Sequence, residues 1–383
     1  MNYSVSDYGS MFDDKWRMDA YITAIKKNIN KDTVVLDLGA GTGIFSLLAC
    51  KFGAKKVFAV EPNTAIKIGI QSARRNGFAE RIEFLNKSSS DIQLNEKVDL
   101  IISDLRGILP LFGKNIETLI DARKRFLKKN GILIPVSDKI YAAVVHSPRL
   151  YKNIVNTWDI NRYKLDLVDA KNFCLNSFLR EDFKSSMLIS DKKLWQLIDY
   201  TNIKETNFRK RLNFKMLEKG TAHGISLWFD SNLVPGVKLR NSPEVEGAKV
   251  YGRAFFPFFE TLTLDHGDRI IVDLSANLVS NDYIWSWNTK IYKKFSKKPI
   301  REFKQSTFLS NPLTPEYFIK RTPNYKTSLS EDAEINLEVL NMFSKNKKII
   351  DIAKSIRKKY PKKFKNLKQA VAVIGDLSFK YSK

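Results

Sequence analysis

The stretch VVLDLGAGTGIFSLLAC, residues 34–50, runs from an apolar strand pattern into Asp37-x-Gly39-x-Gly41-x-Gly43 and then into a helical pattern. Glycines at these positions let the backbone turn sharply and approach a ligand, and the helix that follows offers unpaired N–H groups to it. A second apolar strand, KKVFAVE, ends at Glu61. An acid about 20 residues beyond the glycine turn, at the tip of the next parallel strand, is placed to accept hydrogen bonds from both ribose hydroxyls of a nucleoside cofactor.

The turn reads Gly-x-Gly-x-Gly, not the dinucleotide Gly-x-Gly-x-x-Gly. With Asp37 before it and Thr42 inside it, the pattern points to S-adenosylmethionine rather than NAD. Working outward, strands and helices alternate from residue 34 to 136: VVLDL, a helix to about Phe52, KVFAVE, a helix over 64–76, RIEFL, VDLIISD, a helix over 115–129, and GILIP. That is a doubly wound, Rossmann-like α/β domain. Before it, Met11, Met18, Tyr21, Ile22 and Ile25 have helical spacing across 10–29, giving residues 1–33 as a helical lid.

After Pro135 the period changes to two. KIYAAVV, GISLWFD, the hairpin TLTLDHGDRIIVDLSANL turning at 265–268, and YIWSWNTKIY with Tyr283, Trp285 and Trp287 on one face make 137–310 an antiparallel β domain. A more helical stretch interrupts it at about 149–212. Residues 311–326 are rich in Pro and polar residues and read as a linker, and 327–383 carry three amphipathic helices in a small, very basic domain read as a winged helix.

The net charge of +24 attracts anionic partners, nucleic acid first among them, although abundant lysine, asparagine and isoleucine also fit an AT-rich coding bias spread over a solvated surface. Two cysteines, Cys50 and Cys174, exclude a disulfide framework, and no Cys/His cluster suggests a metal. With no apolar N-terminal segment and no run long enough to span a bilayer, the expected location is cytoplasmic, away from any membrane.

A helix, a cofactor fold and a β-barrel with a helical insertion, in that order over roughly residues 8–300, resemble the protein arginine methyltransferases. Met11-Phe-Asp-Asp14-Lys-Trp-Arg17-Met-Asp-Ala-Tyr21 is similar to that family's Met-x-x-Asp-x-x-Arg-x-x-x-Tyr helix. The resemblance implies a class I S-adenosylmethionine-dependent methyltransferase in which Arg17 clamps the cofactor carboxylate, Met11 packs near the sulfonium and Tyr8 also touches the cofactor. A planar guanidinium suits the clamp, since it can donate two parallel bonds. The resemblance further places Asp37, Gly39, Gly41, Thr42, Gly43, Glu61 and Ser103 around the cofactor and Ser89, Ser90 and Asp91 beside its adenine. It makes the insertion a dimerisation arm, and the protein a homodimer.

The sequence departs from the family at the acceptor end. Where arginine methyltransferases carry two glutamates after the fourth strand, this chain has Asp104 and then Gly113, with Glu117 about one helical turn later, and Arg106 adds a positive charge. In place of the family's Thr-His-Trp stands Lys249-Val250-Tyr251, with Arg253 following. Asp104, Arg106, Tyr251 and Glu117 are therefore the expected catalytic set. A guanidine or amine acceptor needs Asp104 to orient it, whereas a carboxylate acceptor needs Arg106 or Arg253. Of the three histidines, His266 falls in the expected hairpin turn, and His146 and His223 read as structural.

The C-terminal domain resembles the small winged-helix peptide-binding domains related to the D component of pyrroloquinoline quinone biosynthesis, which implies a peptide strand added to an exposed sheet edge. A protein or peptide partner is thus expected there ahead of nucleic acid, and a simple stabilising cap stands level with the peptide reading.

Overall fold

The computed structural model describes residues 3–161, 163–245 and 250–382, which divide into two compact units, 1–312 and 313–383. In the first, α1 (Val5–Asp13) and α2 (Lys15–Lys27) precede a parallel sheet of β1 (Val34–Leu38), β2 (Lys56–Val60), β3 (Ile82–Leu85), β4 (Val98–Ser103) and β5 (Leu127–Ile134). Strand order is β3-β2-β1-β4-β5. Every residue of β1 is buried, as a strand covered on both faces requires. Helices α3 (Ile44–Lys51), α4 (Ile66–Arg75) and α5 (Asn115–Arg125) complete the α/β domain. The order reverses at β1, which pairs with β2 on one side and β4 on the other, so a crevice opens at their carboxyl ends.

The helical spacing of residues 10–29 is split at Asp14. Its carboxylate accepts from the Arg17 backbone N–H at 3.1 Å and starts α2 afresh, turning α1 across the crevice. The second helix is tied to both neighbouring domains. Tyr21 donates to the Ser103 carbonyl at 3.2 Å on the α/β side, and Trp16 donates to the Arg240 carbonyl at 3.1 Å on the antiparallel side. The helix expected over 115–129 stops at Arg125, and Leu127 already belongs to β5.

The antiparallel domain holds β6 (Ser137–Val145), α6 (Pro148–Asp159), α7 (Val168–Leu175), β7 (Leu179–Glu181), β8 (Lys193–Asp199), β9 (Phe208–Lys215), β10 (Gly220–Val234), β11 (Val237–Arg240), β12 (Arg253–Leu264), β13 (Arg269–Val279), β14 (Asp282–Tyr292) and β15 (Arg301–Phe303). One sheet has the order β7-β12-β10-β6-β8 with β11 on β10, and the other β15-β14-β13-β9. Indoles stitch the two together: Trp195 donates to the Leu274 carbonyl at 3.2 Å and Trp287 to the Pro257 carbonyl at 2.9 Å. Among the described residues of the helical stretch expected at 149–212, α-helix is confined to α6 and α7, with one 3₁₀ turn at Ser185–Met187. Beyond residue 179, Leu212 and Phe214 alternate inward with exposed neighbours in β9, a period of two that makes strand.

The second unit is α-helical: α8 (Pro315–Ile319), α9 (Glu331–Phe343), α10 (Ile349–Lys359) and α11 (Leu367–Tyr381). Ile335, Val339, Ile352, Ile356, Phe364 and Ile374 form its core. The stretch read as a linker contains α8. No strand occurs among the unit's described residues, so the wing of a winged helix is missing there.

Candidate functional site

Gly39, Gly41 and Gly43 take φ of 78°, 55° and 78°, the left-handed region that glycine enters without strain. At Gly41 space matters as much as conformation, because an added Cβ would lie 2.5 Å from the Tyr8 ring. The turn is braced by Glu61, which accepts from the Gly41 N–H at 2.9 Å and the Asn63 N–H at 2.8 Å. A carboxylate has about four acceptor positions, so about two remain for a ligand. Burial pushes the Tyr8 hydroxyl up to about 12, with the Glu61 charge adding to the effect.

A cavity of about 340 Å³ opens over this turn, lined by Tyr8, Met11, Arg17, Gly39, Gly41, Thr42 and Glu61 at one side and by Asp104, Arg106 and Tyr251 at another. That volume is within the range of small-molecule sites, about 300–1,000 Å³. Tyr3, Phe12, Phe45, Asn63, Leu105 and Phe112 also line it.

Asp104, 7% exposed, sits between two guanidinium groups. Its Oδ2 accepts from Arg17 Nε at 2.7 Å and from the Tyr251 hydroxyl at 2.6 Å, and its Oδ1 accepts from Arg106 Nε at 3.1 Å. Burial alone would raise the Asp104 pKa, but Arg17 and Arg106 outweigh it and hold the carboxyl below its usual range. Burial likewise opposes the charge on both arginines, and the surrounding oxygens more than offset it.

Arg106, expected to point at an acceptor, is consumed by the protein. Its Nη1 donates to Asp138 at 3.1 Å and to the Ser231 hydroxyl at 2.9 Å, and its Nη2 donates to Tyr21 at 2.6 Å and Tyr251 at 3.4 Å. With Nε on Asp104, all five donors have partners, and the side chain is 1% exposed. The catalytic assignment of Arg106 is therefore corrected to a structural one, joining the loop after β4 to β6 and β10. Arg253 is corrected too: it lies outside the cavity lining, donating to the carbonyls of Asn241, Ser242 and Val245 and to Asp182.

Other expected residues fall in three places. Arg17, Met11, Tyr8, Gly39, Gly41, Thr42, Glu61, Asp104 and Tyr251 meet at the cavity. Asp37, Gly43 and Ser103 are buried and lie outside its lining. Asp37 accepts from the Ser46 hydroxyl at 2.6 Å, and burial pushes its carboxyl up to about 6 against that bond. The Ser103 carbonyl receives Tyr21, and its buried hydroxyl has no partner among the described residues. Glu117 and the adenine set lie outside the cavity lining. Glu117 is solvated in the first turn of α5, paired with Lys114, which overturns a catalytic role for it. Ser89, Ser90 and Asp91 form a short 3₁₀ turn in which Ser90 bonds Ser88 and Asp91. Lys249 lies outside the described residues.

Sequence reasoning overlooked Asp138, Tyr200 and Ser231. The signal was present for Asp138, which shares strand parity with Ile140, Ala142 and Val144 and so places an acid on a buried face. Tyr200 donates to Asp138 at 2.6 Å, across a separation in sequence that no local pattern reveals.

Among the described residues no group of His, Cys, Asp or Glu is placed to hold a metal, and no helix is long and apolar enough to cross a membrane. His146 and His223 pack edge to face at 5.1 Å, away from the cavity.

A family model described as ribosomal protein L11 methyltransferase (PrmA) matches residues 19–138. Protein arginine N-methyltransferase 2 of Dictyostelium discoideum is 32% identical over 239 residues, covering 59% of this chain and 46% of that protein. Probable protein arginine N-methyltransferase 6 of Arabidopsis thaliana is 26% identical over 235 residues, covering 59% and 54%. The chain thus spans about half the length of these curated relatives. Among solved structures, Arabidopsis thaliana protein arginine methyltransferase 10 superposes with a TM-score of 0.70 at 22% identity, over 79% of this chain and 97% of that one. A Trypanosoma brucei PRMT1 enzyme-prozyme heterotetrameric complex with AdoHcy gives 0.70 at 23%, over 78% and 96%. The resemblance first carried by the Met11–Tyr21 helix holds in sequence, and the fold is that of these structures.

Proposed function

We propose that this protein is an S-adenosylmethionine-dependent methyltransferase acting on a protein or peptide. The observation that carries the reading is the convergence of the Gly39–Gly43 turn, Glu61 and Arg17 on one cavity. The residues fit such a cofactor: Glu61 keeps acceptor positions for ribose hydroxyls, and Arg17 Nη2, with no hydrogen bond among the described residues, is left to donate to a carboxylate. Relatives named as protein arginine N-methyltransferases, and a related structure with AdoHcy, support the same reading.

The bound cofactor supplies an electrophilic sulfonium methyl, so the protein's task is to hold the acceptor lone pair in line and exclude water. Tyr8, Met11 and Phe12 cover the turn from α1, and Val250 N–H binds Asp14 at 2.9 Å, closing the lid junction onto the antiparallel domain. Asp104 and Tyr251 form the polar wall for the acceptor. With three of its acceptor positions filled, Asp104 has about one left to orient an N–H of the acceptor. The loss of Arg106 and Arg253 to structural bonds removes the donors a carboxylate acceptor would need, which favours a nitrogen acceptor.

The test is transfer of tritiated methyl from S-adenosylmethionine into host extract, with Glu61→Ala as control. Base-stable label in protein, absent in the control, is expected. Label released by mild base as methanol would instead mark a methyl ester, and failure to bind the cofactor at all would end the enzyme reading.

The same reading includes a homodimer through the α6–α7 arm, whose Ile160, Leu165 and Val168 are exposed, as are Val5 and Phe12 of α1. An arm covering the partner's α1 would bury both sets. Sedimentation at twice the chain mass is expected, and a monomer would remove the claim.

A further inference from the structure

A peptide that adds a strand to a sheet edge needs an edge strand, and among its described residues the C-terminal unit has no strand to offer. Its surface is instead dominated by charge. Residues 345–368 carry eleven Lys or Arg against one acid, Asp351, in a chain whose whole excess is +24. All eleven are exposed.

The charges are segregated. Four of the unit's seven acids lie on α9, with Glu331, Asp332 and Glu334 in its first turn and Glu338 further on, while Glu316, Asp351 and Asp376 stand singly on α8, α10 and α11. Two of the eleven cations reach across to them, Lys359 to Glu338 and Lys363 to Asp332. The other nine have no ion pair among the described residues. They occupy the loop before α10 (Lys345, Lys347, Lys348), the outer face of α10 (Lys354, Arg357, Lys358) and the turn into α11 (Lys362, Lys365, Lys368). Ile352, Ala353 and Ile356 point the opposite face of α10 into the core, and Lys354, Arg357 and Lys358 have no ion pair among the described residues.

We infer that the surface formed by α10 and its two flanking loops is a binding site for the phosphate backbone of double-helical DNA. Nine unpaired cations held within a few Debye lengths of about 8 Å repel one another, and a polyanion relieves that repulsion while releasing counterions. The α10 helix spans about 16 Å, over which duplex DNA presents about ten phosphates at one per 1.7 Å. Exposed aromatic rings, on which single-stranded bases would stack, are missing between 345 and 368: Tyr360 is half-buried against Glu338 and Phe364 is in the core. The chemistry is therefore that of backbone contact without base stacking. It does not depend on methyl transfer.

The test uses the full chain and a fluorescein-labelled duplex of about 21 base pairs, two helical turns, titrated by anisotropy from about 50 mM salt upward. Binding in the micromolar range is expected, with log K falling against log salt at a slope of about −4 or steeper. The variant K354A/R357A/K358A keeps good helix formers at exposed positions. It should bind at least tenfold more weakly, with the slope reduced by about 2.7. A matched variant in the first unit, K297A/K298A/K304A, removes three exposed lysines and should bind as the native chain does. Circular dichroism of both variants checks that helix content is retained. The inference is overturned by no binding at about 20 μM protein in about 50 mM salt, or by equal losses in the two variants. It is also overturned if single-stranded DNA, duplex RNA or polyglutamate binds as tightly as the duplex.

Discussion

Replacing Arg106 by methionine removes five donors and one buried positive charge while keeping an unbranched side chain of similar reach. Asp104 retains Arg17 and Tyr251, but Asp138, fully buried, is left with the Tyr200 hydroxyl. The bonds do not add, because removing one partner mainly exposes the desolvation cost of the charge left behind, about 3–5 kcal/mol for a buried pair. That cost concentrates at Asp138, so R106M/D138N, which removes both charges, should recover more than half of it. All six tryptophans lie between residues 16 and 287, so intrinsic fluorescence during urea unfolding reports on the first unit alone. With m of about 3 kcal/mol/M, the single variant should move the midpoint down by about 1–1.7 M. A shift under about 0.3 M, or a double variant no better than the single one, would refute the view that Arg106 locks the two domains together through Asp138.

Asp37 offers a test of sign. Its carboxyl is pushed up to about 6, so the folded chain holds a proton that the unfolded chain has released between about 3.9 and 6. This group therefore lowers the stability of the fold as pH rises from about 4 to about 6, and the cost stays level above that. Relative to the native chain, Asp37→Asn should gain about 2–3 kcal/mol between pH 4 and 7.5, measured by urea midpoints, and a pH-independent difference would contradict the shift. Gly41→Ala combines a φ of 55° with a Cβ 2.5 Å from the Tyr8 ring, and calorimetry with S-adenosylhomocysteine should show at least a tenfold loss of affinity. G41A/Y8A removes the clash but not the strain, and should recover only part of the loss. Asp104→Asn leaves Arg17 and Arg106 facing each other with no carboxylate between them, so it should lower stability by about 3 kcal/mol as well as activity.

What was legible in the sequence was what is local. The glycine turn, Glu61 at the next strand tip and Arg17 one turn from Asp14 are each fixed by spacing within one or two elements, and the structure brings them to one cavity. What was not legible is what depends on distant parts of the chain. Arg106 could be placed in the loop after β4, but the direction of its side chain is set by Asp138 on β6, Ser231 on β10 and Tyr251 before β12. The end of the helical arm depends on distant chain in the same way. Lys193–Asp199 and Phe208–Lys215 are short and polar on one face, and their strand pairing with β6 and β13 overrides a weak local preference.

The Arg106 network also constrains recognition. The charged side chains lining the cavity are Glu61, Asp104, Arg17 and Arg106, and their formal charges cancel. S-adenosylmethionine, with one carboxylate, one ammonium and one sulfonium, leaves the loaded site positive. A permanently protonated guanidinium gains from such a site only what its contact with Asp104 supplies, and that carboxylate already neutralises two arginines. An acceptor nitrogen that can arrive uncharged carries no such penalty. Its rate should then rise with pH as the free amine is formed, whereas an arginine acceptor would show no such rise below pH 10. In the tritium assay at pH 7 and pH 9, label growing several-fold across that interval supports an uncharged amine, and label in methylarginine with a flat profile shows that the single free position on Asp104 suffices.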